Sequence, residues 1–103
     1  MLLSDNMNAE KLAKMLDGLG HPLRLKIVAL LARENRVMYL NEIANSLGIS
    51  RALAKVHLKK LEKAGIVKSK IILDEEKGKA LRFYELVPFE IHISPEILKE
   101  VVE

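Results

Sequence analysis

The chain has 103 residues and a mass of 11.6 kDa. This is the size of one folded unit, so we expect a single domain over residues 1–103. Half of the residues are apolar and 30% are charged, a composition that excludes an intrinsically disordered chain. Cysteine is absent, which excludes disulfides, thiolate metal sites and cysteine nucleophiles. Neither a membrane-spanning apolar run nor a signal-peptide pattern is visible, so we expect a cytoplasmic protein with no membrane partner.

The net charge of +3 is unevenly distributed along the chain. Residues 1–50 carry +1, residues 51–82 carry +6 and residues 83–103 carry −4. A strongly basic middle segment is expected of a surface that binds a polyanion, and the alternative is a solvated Lys/Glu surface. The many lysines and glutamates beside no glutamine also resemble the composition of thermophile proteins.

Apolar residues at helical spacing predict three helices in the first half of the chain. The first covers residues 8–18, and the second begins at Pro22, which suits a first helical turn, and ends near Arg33. A short strand is predicted at 37–39. The third helix follows directly and ends before Gly48.

A fourth helix follows after a tight turn. Ser50 is a good N-cap, and residues 51–64 place Ala54, Leu58 and Leu61 on one inward face. A short helix, a glycine-containing turn and a second helix form the helix-turn-helix pattern, whose second helix lies in the DNA major groove. Many other pairs of helices share this outline.

The second half of the chain changes from helical to alternating period. Residues 66–73 and 80–87 predict two strands joined by a polar turn, which is a β-hairpin. A last short strand is predicted at 89–93 and a terminal helix at 94–103. A helix-turn-helix followed by a hairpin is a winged helix. The expected fold class is therefore mainly α with a β-hairpin wing (α+β), a winged helix-turn-helix.

Five sequence blocks in this order resemble the ArsR-type winged helix-turn-helix transcriptional regulators. They read LGHPLRLKI at 19–27, NEIA at 41–44, LGIS at 47–50, HLKKL at 57–61 and AGIV at 64–67. The likeness spans about residues 8–87. It implies a homodimer that binds double-stranded DNA, with two recognition helices in successive major grooves and the wings beside the minor groove.

The chain departs from the metal sensors of that family. The stretch 37–43, where they resemble one another in a paired-cysteine motif, has no cysteine, and the terminal helix lacks an Asp/His/His/Glu cluster. His21, His57 and His92 lie on separate elements without metal-ligand spacing. We expect His21 to cap a helix and His57 to hydrogen-bond the backbone. We predict no metal and no cofactor, and the sequence does not identify a small-molecule effector.

Enzymatic activity is not expected. The sequence contains no serine, histidine and aspartate order for a triad, no paired-carboxylate pocket and no glycine-rich phosphate loop. In a chain of this length a deep substrate cavity would also compete with the only core.

The fourth helix departs from the family at its exposed first turns. In members of that family these turns usually resemble the sequence Gln-Ser-Thr-Val-Ser-Arg, whereas this chain reads RALAKV at 51–56. Arg51 and Lys55 remain able to donate to guanine or phosphate, and Ala52 can make only apolar contact, such as with a thymine methyl group. At the wing tip Glu75 and Glu76 would repel phosphates, so the lysines and the arginine beside them are the expected contacts. The predicted DNA-binding face is Arg51, Ala52, Lys55, Lys59, Lys60, Lys68, Lys70, Lys77, Lys79 and Arg82.

Both ends of the chain offer apolar side chains beyond what one core needs. We predict that the first and the terminal helix form a dimer interface, and the alternative is that the terminal helix covers its own domain. The predicted interface is Leu12, Met15, Leu16, Ile97, Leu98, Val101 and Val102.

These observations predict a dimeric, sequence-specific DNA-binding transcriptional regulator, a repressor associated with the nucleoid. The alternative is a winged helix used for protein contacts within a transcription or other nucleic-acid complex. The two differ in salt dependence, because only phosphate neutralisation releases counterions.

Overall fold

The computed structural model describes residues 8–101 and contains the predicted winged helix. Its elements are α1 (Ala9–Leu19), α2 (Pro22–Glu34), β1 (Met38–Tyr39), α3 (Leu40–Leu47), α4 (Arg51–Lys63), β2 (Val67–Asp74), β3 (Lys79–Leu86), α5 (Pro95–Leu98) and a 3-10 turn at Lys99–Val101. The expected α+β class and the order of the first seven elements are confirmed. No helix within the described residues is long and apolar enough to span a membrane.

Local signals in the sequence set the ends of the central helices. The Nδ1 atom of His21 accepts the backbone N–H of Leu23 at 3.0 Å, which confirms the predicted cap of α2. The hydroxyl oxygen of Ser50 accepts the N–H of Leu53 at 3.0 Å and begins α4. Gly48 ends α3 with a φ of +65°, a left-handed conformation that favours glycine.

The core lies where α2, α3 and α4 meet one face of the sheet. Ala54, Leu58 and Leu61 of α4 are fully buried, as their spacing predicts. They pack with Ile27 of α2 and Ile43 of α3, which are also fully buried. This packing fixes the orientation of α4, so the opposite side of that helix is exposed.

The sheet is antiparallel with the strand order β1-β3-β2. Residues directly opposite one another in a hairpin project from the same face. The register therefore defines an inner face, on the side of the core, and an outer face. The inner face comprises Val67, Ser69, Ile71, Leu73, Ala80, Arg82, Tyr84 and Leu86. The outer face comprises Lys68, Lys70, Ile72, Asp74, Lys79, Leu81, Phe83 and Glu85.

The region after the hairpin differs from its prediction. Residues 89–93 form no strand. Phe89 and Ile91 alternate because they pack half-buried against the core, and neither is bonded into the three-stranded sheet. Pro95 begins the terminal helix as predicted, but α5 has only four residues before the 3-10 turn.

The predicted dimer residues fall into two groups. Leu12 and Met15 are buried within the monomer, so the prediction that they form surplus surface is wrong. Their apolar stripe on α1 faces its own domain, and Met15 belongs to the core. Leu16 is 39% exposed.

The terminal segment is at most half-buried in the monomer. No residue from Pro95 to Val101 is buried, and Leu98 is exposed. The alternative of a lid over the core is therefore not supported for these residues. Val102 lies outside the described residues.

Candidate nucleic-acid interface

The first turns of α4 project away from the core beside the hairpin. A hollow of about 160 Å³ lies between these turns and the hairpin. Its lining combines cations of the helix with the inner face of the wing: Leu40, Arg51, Lys55, Ile71, Ala80 and Arg82. The structure thus brings together three of the predicted DNA-binding residues from two separate elements.

Hydrogen bonds fix the hairpin relative to α4. The Nη1 atom of Arg82 donates to the hydroxyl oxygen of Ser69 at 3.0 Å. That hydroxyl donates in turn to Oε2 of Glu62, on α4, at 2.8 Å. The chain Arg82–Ser69–Glu62 links both strands of the wing to α4 and holds Arg82 at the hollow.

The three cations of the hollow form no direct ion pair within the described residues, and only Arg82 is linked to a carboxylate, Glu62, through the hydroxyl of Ser69. None of the ion pairs between residues 8–101 involves Arg51, Lys55 or Arg82. Arg51, Lys55 and Arg82 are all exposed. An arginine fork can bind phosphate or guanine in a bidentate manner, and a lysine acts as a point charge. The hollow is therefore a concave, positively charged surface suited to a polyanion.

The expectation that all basic wing residues share this face is wrong. Lys68, Lys70 and Lys79 lie on the outer face of the hairpin, whereas Arg82 lies on the inner face. Successive side chains of a strand point to opposite faces of the sheet, and the sequence pattern alone does not say which of the two sets faces α4. Lys68 is also paired on the outer face, with Nζ 3.5 Å from Oε1 of Glu85.

The remaining predicted residues lie at the margins of the hollow. Ala52 and Lys59 are exposed on the outward side of α4. Lys60 lies further round the helix, where its Nζ is 3.4 Å from Oδ2 of Asp17 on α1. Lys77 is in the exposed turn at the wing tip, where its backbone N–H donates to Oδ1 of Asp74 at 3.3 Å.

A buried arginine supports α4 from behind. Arg24 of α2 donates from Nε to the carbonyl of Gly18 at 2.7 Å and from Nη2 to the carbonyl of Asp17 at 3.2 Å. Its Nη1 donates to Nδ1 of His57 at 3.0 Å. One guanidinium thus joins the end of α1, α2 and the middle of α4.

This contact corrects the prediction for His57, whose hydrogen-bond partner is Arg24 rather than the backbone. Burial lowers the pKa of His57, and the nearby His21 and Arg24 lower it further. The rings of His21 and His57 lie 4.4 Å apart. The neutral imidazole is the form that can accept the bond from Arg24.

Sequence analysis missed Arg24 as a structural residue. A signal for it exists, because Arg24 lies at i−3 and i−7 from Ile27 and Leu31, on the buried stripe of α2. Its partner His57 is far away in sequence, so the reason for burying an arginine there is visible only in the fold.

The described residues contain no group of three or more histidine, aspartate or glutamate side chains that could hold a metal ion. His92 lies apart from the other two histidines, with its Nε2 3.2 Å from Oε1 of Glu90. The Nδ1 atoms of His21 and His57 are both engaged in hydrogen bonds within the fold.

Comparison with known proteins identifies the family to which the chain belongs. Residues 21–69 match the family described as "Bacterial regulatory protein, arsR family". The chain is 36% identical over 90 residues to a protein of Methanocaldococcus jannaschii named as an uncharacterized HTH-type transcriptional regulator, covering 87% of this chain and 90% of that one.

Solved structures share the fold. The transcriptional repressor BigR from Xylella fastidiosa superposes with a TM-score of 0.62 at 24% identity, over 90% of this chain and 81% of that one. HlyU from Vibrio cholerae superposes with a TM-score of 0.63 at 20% identity, over 95% and 89% of the two chains. The matched family and the relative from Methanocaldococcus jannaschii are described as regulators, which agrees with the expectation that the chain is not an enzyme. This chain is a winged-helix transcriptional regulator of the arsR family.

Proposed function

We propose that the protein is a dimeric, sequence-specific DNA-binding repressor, with α4 in the major groove and the hairpin on the backbone or beside the minor groove. The observation that carries the proposal is the hollow in which Arg51, Lys55 and Arg82 meet without a direct ion pair to any acidic side chain of the described residues. In helix-turn-helix proteins the N-terminal residues of the second helix contact base edges. Arg51 and Lys55 hold that position on α4.

The two elements have different roles in this proposal. Arg51 and Lys55 donate to base edges or to the phosphates that flank them. Arg82, held by Ser69, neutralises a backbone phosphate and contributes the same free energy on every sequence. Lys59, Lys77 and Lys79 add longer-range attraction.

Assembly into a homodimer follows from the symmetry of operators. Two recognition helices about 34 Å apart are needed to occupy successive major grooves, and one domain supplies one. We propose that the terminal segments pair, because Leu98 is exposed and Ile97 and Val101 are only half-buried in the monomer. Leu16 of α1 extends the same interface in this proposal. A dimer seated on operator DNA excludes polymerase from it, which is why we propose repression and association with the nucleoid.

The salt dependence of DNA binding tests the proposal. The affinity of the full chain for duplex DNA is measured by fluorescence anisotropy over a range of salt concentrations. Each neutralised phosphate contributes about −0.9 to the slope of log K against log salt, so several contacts per subunit give a steep negative slope. A slope near zero, or no binding at low salt, would contradict the proposal.

A second candidate function is a protein-contact module, and it is favoured by the exposed apolar residues Ile71 and Leu73 on the inner face of the wing. The same titration separates the two functions, because a surface that binds protein through apolar contacts releases no DNA counterions.

A further inference from the structure

The outward side of the recognition helix is apolar where it would meet base edges. Ala54 and Leu58 point into the core, and Ala52 and Val56 project from the opposite side, four residues apart and therefore on one face. Val56 is 60% exposed and the adjacent Leu53 is 40% exposed. The first half of α4 thus exposes three aliphatic side chains, which we call the patch: Ala52, Leu53 and Val56.

Hydrogen-bonding side chains lie at the edges of this patch and not within it. Arg51 and Lys55 lie toward the wing, where both line the hollow with Arg82. Ser50 is engaged at the start of the helix as its N-cap. Lys59 and Lys63 continue the outward face toward the C-terminus, at the end of the helix that lies away from the base-contacting residues.

The major groove presents one apolar feature among its base edges, the 5-methyl group of thymine. An aliphatic patch gains free energy by covering that methyl group, and a G·C pair has no methyl group to cover. We infer that this protein selects its operator through thymine methyl groups that pack against Val56, Leu53 and Ala52, with guanine contacts confined to the edge beside Arg51 and Lys55. This inference rests on the proposed function, because it requires α4 to lie in the major groove.

Cations next to the patch favour DNA over an apolar protein partner as its occupant. Arg51, Lys55 and Lys59 lie around it, and the segment from Arg51 to Arg82 has a net charge of +6. A protein partner is the other outcome, and the experiment below would reveal it.

The inference is tested with DNA that lacks only the methyl groups. A preferred duplex is first selected from a random library with the full chain. Each thymine in it is then replaced in turn by deoxyuridine, which keeps every hydrogen-bonding group of the base. Binding is measured at fixed salt. We expect a loss of about fourfold at each thymine under the patch, the factor that one buried methyl group supplies, and no change at thymines elsewhere.

Protein variants assign the effect to the patch. Val56→Ala removes exposed side-chain atoms, so it should fold as the wild type does by circular dichroism. We expect it to bind the thymine duplex more weakly and to lose at least half of the discrimination between thymine and uracil. Leu25→Ala removes a comparably exposed aliphatic side chain from α2 and should leave the thymine-to-uracil ratio unchanged.

Failure of this inference is distinguishable from failure of the proposed function. Specific binding that survives complete replacement of thymine by uracil would overturn methyl readout and leave DNA binding intact. Selection of duplexes with only G·C pairs under α4 would overturn it as well. The absence of any salt-dependent binding would overturn both and would favour a protein partner for the patch.

Discussion

Arg24 and His57 show how single residues hold α4 in place. Arg24 satisfies two carbonyls at the end of α1 and at the same time binds His57 of α4. A buried arginine is costly unless its donors are paired, and here each of the three guanidinium nitrogens donates to an acceptor in the protein. Sequence reasoning placed both residues on the correct helices, but the contact between them spans 33 residues and could not be read from local pattern.

The lowered pKa of His57 predicts a dependence of stability on pH. The unfolded chain titrates this histidine near its ordinary value of about 6.5, and the folded chain binds the proton only at lower pH. Below about pH 6.5 the unfolded state therefore holds more protons than the folded state. As the pH is lowered, the free energy of unfolding decreases until the pH lies below the pKa of His57 in the folded chain. Urea unfolding at about pH 7.5 and about pH 5 measures this loss.

His57→Gln is the matched variant for that measurement, because its amide oxygen can still accept from Arg24 and does not titrate. We expect it to lose less stability than the wild type between the two pH values. An equal loss in both proteins would mean that other groups carry the pH dependence.

Gly18 of α1 packs closely against Ala64, at the end of α4. A Cβ atom added at this position would lie 2.5 Å from Cβ of Ala64 and 3.2 Å from Cδ1 of Ile66. Gly18→Ala should therefore destabilise the protein by about 1 to 3 kcal/mol, although alanine in an open helix is more favourable than glycine by about 1 kcal/mol. Thermal or urea unfolding checks the sign. Adding Ala64→Gly should recover part of the loss, and a stabilised single variant would disprove the close contact.

Elements with strong local signals agree most closely with their predictions. The range 40–47 of α3 and the start of α4 at Arg51 are confirmed, because a left-handed Gly48 and the Ser50 cap fix them locally. The prediction of a strand at 89–93 is wrong. The alternation of apolar and polar residues there reflects burial of Phe89 and Ile91 against the core, whereas a strand also needs a neighbouring strand for its backbone hydrogen bonds. The terminal helix is also shorter than predicted. None of the residues of α5 is buried in its own domain, and a short helix needs such packing to be stable.

The cap of α4 is an element whose loss should affect both stability and binding. Ser50→Ala removes the acceptor for the N–H of Leu53 and should cost about 1 kcal/mol of unfolding free energy. Fraying of the first turn would also displace Arg51, so DNA affinity should fall. Ser46→Ala, within the last turn of α3, is the control and should change both quantities less. Equal effects of the two substitutions would argue against the cap.

At the level of the whole molecule, positive and negative charge are separated along the chain. The hollow between α4 and the wing is basic, and the segment from Phe83 to the C-terminus has a net charge of −4. The sequence predicted this separation, but the division of the wing lysines between two faces depends on which face of the hairpin packs against α4.

The proposed dimer is tested at its terminal helix. Replacing Leu98 and Val101 together with aspartate places charges where the partner segment would pack. Because neither residue is buried in the monomer, the domain should remain folded by circular dichroism. Light scattering should then report monomers, and binding to a symmetric operator should fall by at least about tenfold. A variant that stays dimeric and keeps its affinity would place the interface elsewhere.

The most direct test of the account compares two double variants that carry the same net charge. Arg51→Ala with Lys55→Ala removes two cations from the hollow, and Lys68→Ala with Lys70→Ala removes two from the outer face of the wing. Affinity for a selected duplex is measured at one salt concentration. If α4 and the inner face of the wing bind DNA, the first pair should weaken binding by about 30-fold or more, at about 1 to 3 kcal/mol for each base contact, and the second by less than about threefold. Equal losses would show that only net charge matters and would contradict the assignment of the hollow as the DNA-binding site.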